Sequence, residues 1–252
     1  MPVQTDLDKL APEKTLHQIE STISIIKKGI LEAKDLTNRK GEQPKYTPAG
    51  QSTQIVVGAT ATADGAILHK AEKLYRGFNM RRVYYSAFSP IPDSSALLPT
   101  IKTPLMREHR LYEADWLIRN YGFTASEITH GASEMNLDLD KDPKLAWALR
   151  HRDYFPLDIN KASARQLLRV PGLGARNVSR ILKIRHFHNL RIEDLAKLRV
   201  RLDKAKWFIT TSDYNPNVFH LDAEQLFERI KPKAVQLSLF DNIENTALTG
   251  EI

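Results

Sequence analysis

The run Val170-Pro171-Gly172-Leu173-Gly174 holds the residues of this chain best suited to binding chemistry. Glycine lacks a Cβ, so two glycines two positions apart let the backbone turn sharply and approach a surface closely. The segment that follows, Ala175 to Arg185, has helical spacing, so the turn ends at a helix N-terminus. Backbone N–H groups there lack intrahelical partners and sit at the positive end of the helix dipole, which suits an anion such as phosphate. Gly172, Leu173 and Gly174 are the expected N–H donors, with Ala175 opening the helix. Arg176, Arg180 and Lys183 recur on one helical face and would extend the contact along a phosphate backbone, with Arg169 and Lys161 as flanking contacts. Such contacts read no base sequence, and they weaken steeply with salt.

Upstream of the turn, Asn160 to Arg169 reads as a short capped helix. Two helices joined by a Pro-Gly-Leu-Gly turn resemble the helix-hairpin-helix of nucleic-acid-binding proteins. The pattern recurs. A shift of 27 sets Leu168 on Leu195, Gly172 on Arg199, Gly174 on Arg201, Val178 on Ala205 and Ile181 on Phe208. Residues 192–208 therefore read as a degenerate second copy that covers the apolar face of the first. It lacks both glycines, which leaves the side chains of Arg199 and Arg201 as its means of reaching a phosphate. Charge follows the same boundary: residues 150–206 carry 15 Lys and Arg against 5 Asp and Glu, and the rest of the chain nets −3. A basic module on a mildly acidic body is the electrostatic footprint of a nucleic-acid binder.

DNA glycosylases that carry this hairpin place a catalytic aspartate beyond it, and Asp194 lies 20 residues past Gly174. Here Asp194 falls in the first turn of the second copy, where an acid suits the helix dipole without any catalytic role. Of eight histidines only His186 and His188 are close together, with no carboxylate at ligand spacing, so no metal site is expected. No cysteine is present, so the chain offers no disulfide, thiolate metal site or iron–sulfur cluster.

The first hundred residues differ in texture. Residues 14–34 form a helix with an apolar stripe at Leu16, Ile19, Ile23, Ile26, Ile30 and Leu31 that needs a partner. Strand 54–58, helix 64–78 and strand 82–86 make a βαβ unit, hence a parallel pair. One such unit is too little sheet to close a barrel and reads as part of something larger. Residues 87–104 form a proline-rich loop, and helices follow at 107–121 and 142–150. A last helix covers 223–230, ended by Lys231-Pro232-Lys233. Beyond it, Gln236-Leu237-Ser238-Leu239-Phe240 resembles the pentapeptide by which bacterial DNA-repair proteins and polymerases bind the sliding clamp. Gln236 would hydrogen-bond there, while Leu237, Leu239 and Phe240 fill an apolar pocket. The first residues lack the basic and apolar regions of a signal peptide, and no apolar run reaches membrane-spanning length, which together point to the cytoplasm and to no membrane partner.

Three stretches then name a family: Pro48 to Thr60, Arg82 to Phe88, and Arg107-Glu108-His109-Arg110-Leu111-Tyr112 with Ala114-Asp115-Trp116-Leu117. They resemble the radical S-adenosylmethionine proteins described as DNA modification or repair proteins, in which a radical-SAM barrel precedes a helix-hairpin-helix domain. The resemblance covers the C-terminal portion of that family. It implies an incomplete (βα) barrel segment at 1–104, a helical connector at 105–150, a tandem helix-hairpin-helix domain at 151–212 and a C-terminal helix and tail at 213–252, an α/β part followed by an all-α part. The family's Cys-x3-Cys-x2-Cys motif, its [4Fe–4S] cluster and S-adenosylmethionine belong to the missing barrel half, so this chain is expected to be inert alone. DNA or another nucleic acid, the sliding clamp and a separate barrel half are the expected partners. The alternative is a stand-alone, non-enzymatic DNA-binding accessory protein, with a DNA glycosylase ranked third.

Overall fold

Helices α1 (Gln4–Leu10) and α2 (Leu16–Lys40) lead into β1 (Ser52–Val57), α3 (Asp64–Phe78) and β2 (Arg82–Ala87). The computed structural model describes residues 3–40, 46–90, 92 and 96–231. β1 and β2 pair in parallel with Ser52 opposite Arg82 and Val57 opposite Ala87, and α3 makes the crossover, as the spacing predicts. Ile55, Val57, Val83 and Tyr85 point inward, where they join Ile67, Leu68, Ala71 and Leu74 of α3 in the core. The other face carries exposed Val56 and Tyr84. The stripe on α2 is less buried than its periodicity predicts: Ile30 is buried and Ile23 packs on the core, but Leu31 is exposed. Charge adds to its docking, because the Glu20 carboxylate accepts from Lys70 at 2.6 Å and Lys73 at 2.9 Å on α3. Those two bonds hold the Glu20 carboxyl below its ordinary range.

The remaining elements are helical apart from one small ladder. They are α4 (Leu105–Tyr121), α5 (Ala125–Thr129), α6 (Pro143–Arg150), β3 (Leu157–Asp158), α7 (Ala164–Leu167), α8 (Ala175–Ile184), α9 (Ile192–Lys197), α10 (Leu202–Ala205), β4 (Ile209–Thr210) and α11 (Ala223–Ile230). The protein is thus mixed α/β, with eleven α-helices, two two-stranded sheets and no closed barrel among the described residues. One buried cluster runs from Ile55 to Ile230 and crosses the boundaries expected at 104, 150 and 212. At its centre Asp115 of α4 is fully buried and takes the hydroxyls of Tyr75 and Tyr85 and the guanidinium of Arg119. Burial, reinforced by that carboxylate, pushes both tyrosine hydroxyls up.

The two halves of 157–210 share an element order, two short helices each and one strand of a common pair, with one change of register from the expected shift. Ser163 caps α7 and pairs with Gln166; Arg191 occupies the matching N-cap of α9, whose N–H is taken by Asp194 at 3.0 Å. These positions differ by 28, whereas the starts of α8 and α10 differ by 27, so the second turn is one residue shorter than the first. Leu195 therefore matches fully buried Leu167 rather than Leu168. The expected helix over 160–169 is shorter, because Asp158 turns the chain by accepting from Asn160 and Ala162 before α7 begins. β3 enters the first helix pair, β4 leaves the second, and the two pair in parallel, Leu157 opposite Ile209, closing residues 157–210 on themselves.

Candidate nucleic-acid interface

The turn between α7 and α8 is held by its neighbours. Gly172 has φ +83°, and a Cβ built there would lie 2.6 Å from the Arg201 carbonyl oxygen and 3.1 Å from the Ala205 nitrogen. The glycine is thus required for the first turn to lie against the backbone of the second. Arg199, which meets Gly172 at the shift of 27, has φ +57°: the left-handed turn persists in the second copy without its glycine. Gly174 differs, with φ −89° and only the Tyr121 hydroxyl, at 3.6 Å, near a built Cβ.

Two expected contacts are corrected. Arg169 does not flank the surface; it is 2 % exposed. Its Nε and Nη2 form a fork with Glu127 at 2.7 and 2.9 Å, and it also donates to the Tyr121 and Gly122 carbonyls at the end of α4. Its guanidinium lies 3.7 Å from the centroid of Phe123. A planar fork beneath a helix C-terminus is a structural tie, with its charge neutralised by Glu127 and by the helix dipole. Leu173 offers no free N–H, because that group donates to the Val170 carbonyl at 3.2 Å, and its side chain fills the core. Its own carbonyl accepts from Lys144 at 2.6 Å. Lys144, on α6, was not singled out from the sequence. Burial lowers its ammonium to about 7, opposed by Asp142 and helped by Arg169.

The rest of the expected set is disposed for an anion. α8 has Gly174 as N-cap, no side-chain cap and no acid in its first turn. Among the described residues the N–H groups of Gly172, Gly174, Ala175, Arg176 and Asn177 find no hydrogen-bond acceptor, while Val178 donates to the Gly174 carbonyl. By contrast, Thr124, Asp142, Ser163 and Asp222 cap α5, α6, α7 and α11 with their side chains. Arg176, Arg180 and Lys183 are exposed on the face of α8 opposite buried Val178 and Ile181 and enter no ion pair among the described residues. Lys161 is exposed and 3.6 Å from Asp158. In the second copy the Leu202 N–H is already taken by the Val200 carbonyl at 2.8 Å, so α10 presents a more closed end. Arg201 there is exposed and 3.2 Å from Asp203.

Gly172 and Gly174 also form one wall of a groove of about 940 Å³ that extends along α4. Seven Lys and Arg side chains line it against three acids, and Tyr112, Trp116 and Tyr121 contribute aromatic surface. The helical phase of Tyr112, Trp116 and Arg119, offset from the buried Leu111, Ala114 and Leu117, is the sequence signal that would have revealed them.

Asp194 serves as a helix cap, as its position in the first turn of the second copy predicts, and its other near neighbours are His188 at 3.7 Å and Lys197 at 4.0 Å. No cluster of three His, Asp or Glu among the described residues could hold a metal ion, and the cysteine-free chain supplies no thiolate to an iron–sulfur cluster. Gln236, Leu237, Leu239 and Phe240 lie outside the described residues. No helix among the described residues is long and apolar enough to cross a membrane. The chain matches no family model, and comparison with curated proteins and with solved structures finds no match either.

Proposed function

We propose that residues 151–212 are a tandem helix-hairpin-helix DNA-binding domain whose first hairpin clamps phosphates without reading sequence. The observation that carries this is the open N-terminus of α8: a glycine N-cap, no acid in its first turn and, among the described residues, unpaired N–H groups beside exposed, unpaired Arg176, Arg180 and Lys183. Uncapped helix ends cost stability unless a ligand or water satisfies them, and phosphate is the ligand this charge pattern selects. Gly172, Gly174 and Ala175 supply N–H donors; the three cations follow the strand away from the turn. Lys161 adds a flanking charge.

Gly174→Asp is the decisive variant. Aspartate is a favoured N-cap at this backbone geometry, so the protein stays folded or gains stability, while the carboxylate occupies the anion position. Binding to a short random-sequence duplex should weaken at least about tenfold, and Gly174→Ser, a neutral cap, should retain most of it. Equal affinity of the wild type and a folded Gly174→Asp variant would refute the assignment.

The α/β part is read as the C-terminal piece of a radical-SAM DNA modification or repair protein, inert without the cluster-bearing half. A single parallel βαβ unit with Val56 and Tyr84 exposed on its outer face supports an incomplete sheet. Co-purification of this chain with a cysteine-bearing barrel half tests that reading, and failure of the two to associate when co-expressed counts against it. The tail from Gln236 to Phe240 is proposed as a sliding-clamp ligand, tested by deleting it and measuring clamp binding.

A further inference from the structure

The groove beside the turn has a chemistry that duplex phosphates alone do not use. Along α4, Tyr112, Trp116 and Arg119 share the outward face, and Trp116 is 51 % exposed. The Arg119 guanidinium lies 5.6 Å from the Trp116 ring and 5.8 Å from Tyr75. At the far end Arg82 lies 5.1 Å from the Tyr84 ring and 5.9 Å from Tyr112. These stacks are held in place: Asp115 fixes Arg119 at 2.8 Å, and the Tyr112 hydroxyl bridges the backbone of Tyr85. The Arg82 Nε is buried with no hydrogen-bond partner. Most of the groove's cations are already paired, Arg110 with Glu113, Arg119 with Asp115, Arg201 with Asp203, Lys204 with Asp142 and Lys231 with Glu228, so its rigid aromatic and guanidinium faces carry the argument. They are the parts from which single-strand stacking platforms are made, because every base has a π-face.

We propose that this groove takes a short single-stranded segment of DNA, its bases stacked on Trp116 and Tyr112 and its phosphates leading into the Gly172–Gly174 turn. The inference rests on the DNA-binding reading of that turn and extends it to the substrate class: DNA with an unpaired stretch rather than intact duplex. From Tyr112 to Trp116, four residues of helix at 1.5 Å each place the two rings about 6 Å apart on one face, the length of roughly two stacked bases. Tyr121, at the turn end of α4, brings the path to Gly174. Free cations along the outside of α8 would hold an adjoining duplex, so a junction between paired and unpaired DNA would engage both surfaces.

The test compares the wild type with Trp116→Ala, Trp116→Phe and Gly174→Asp, using labelled oligo-dT and a blunt-ended duplex of two annealed strands in anisotropy titrations at fixed salt. Because Trp116 is half-exposed, its truncation should leave the fold intact, which a melting curve verifies. Trp116→Ala is expected to weaken oligo-dT binding about tenfold, within the range for one lost base–aromatic stack, while changing duplex binding less than about twofold. Trp116→Phe should recover most of the loss. If Trp116→Ala binds oligo-dT as the wild type does, or loses duplex binding equally, the groove assignment is overturned, even where Gly174→Asp still abolishes duplex binding and the turn reading stands. If the wild type binds neither probe, both fail.

Discussion

Replacing Gly172 by alanine should unfold the turn rather than merely weaken a ligand. Two costs add. The residue has φ +83°, where a Cβ is disfavoured, which costs of order 1 kcal/mol. The new methyl would sit 2.6 Å from the Arg201 carbonyl oxygen and 3.3 Å from the Ala205 Cβ, so backbone of the second hairpin has to move. Overpacking against backbone costs about 1–3 kcal/mol, for a total near 3 kcal/mol. In a chain of this size that lowers the melting temperature by about 6–12 °C. Gly174→Ala is the control two residues away: with φ −89° and nothing closer than 3.6 Å, it should change stability by less than about 1 kcal/mol. Urea unfolding followed by circular dichroism, with calorimetry for the melting temperature, measures both. If Gly172→Ala melts within a degree or two of the wild type, the close packing of the two turns described above is wrong. The contrast also decides how DNA-binding data are read, because a Gly172 variant that binds poorly reports lost structure, whereas a Gly174 variant reports a lost or blocked site.

Lys144 should make stability rise with pH: its ammonium titrates at about 7 when folded, so between there and the ordinary lysine value the unfolded chain binds the additional proton. Urea titrations from pH 7 to pH 9.5 should show a gain of about 3 kcal/mol in the wild type that is absent in Lys144→Met, and parallel curves for the two proteins would refute it. Arg169→Met, which leaves Glu127 without its fork partner and two α4 carbonyls without a donor, should cost about 3–5 kcal/mol in the same assay, with part restored by a second change, Glu127→Gln. Removal of any one of Arg176, Arg180 or Lys183 should leave the fold unchanged and reduce the slope of log affinity against log salt on duplex DNA by about 1. An unchanged slope in all three would show that the exposed face of α8 does not follow the phosphates.

Periodicity carried the larger elements. α3 spans the residues its stripe of Ile67, Leu68, Ala71 and Leu74 predicts, and α11 likewise matches from Ala223 to Ile230. The parallel pair β1 and β2 followed from two apolar runs flanking a helix of crossover length. β3 and β4 are two residues each, too short to show any period, and α1 and α5, at seven and five residues, span two turns or fewer. The turn glycines and the cations of α8 were legible because their residue types carry their chemistry locally. Arg169 and Lys144 were not, because a charged side chain reads as surface until its partners are known. For Arg169 those partners are Glu127, 42 positions away, and the end of α4, 47 and 48 positions away; for Lys144 the partner is a carbonyl 29 positions on. The shorter second turn was equally hidden, since a shift of 27 still matches apolar side chains at Val178 and Ile181 with Ala205 and Phe208.

The ties that removed Arg169 and Leu173 from the expected contact surface have a kinetic consequence. With Arg169 bonded to the end of α4, Lys144 to the Leu173 carbonyl and Gly172 seated on the second hairpin, the turn has little backbone freedom left to lose when a phosphate arrives. Preorganisation of this kind removes the ordering cost from the encounter. Association should then be governed by electrostatic steering, fast at low salt and slowing as salt rises, without the lag that a loop-closing step would impose. A turn that neither opens nor closes would let the proposed phosphate contact form and break without a conformational step.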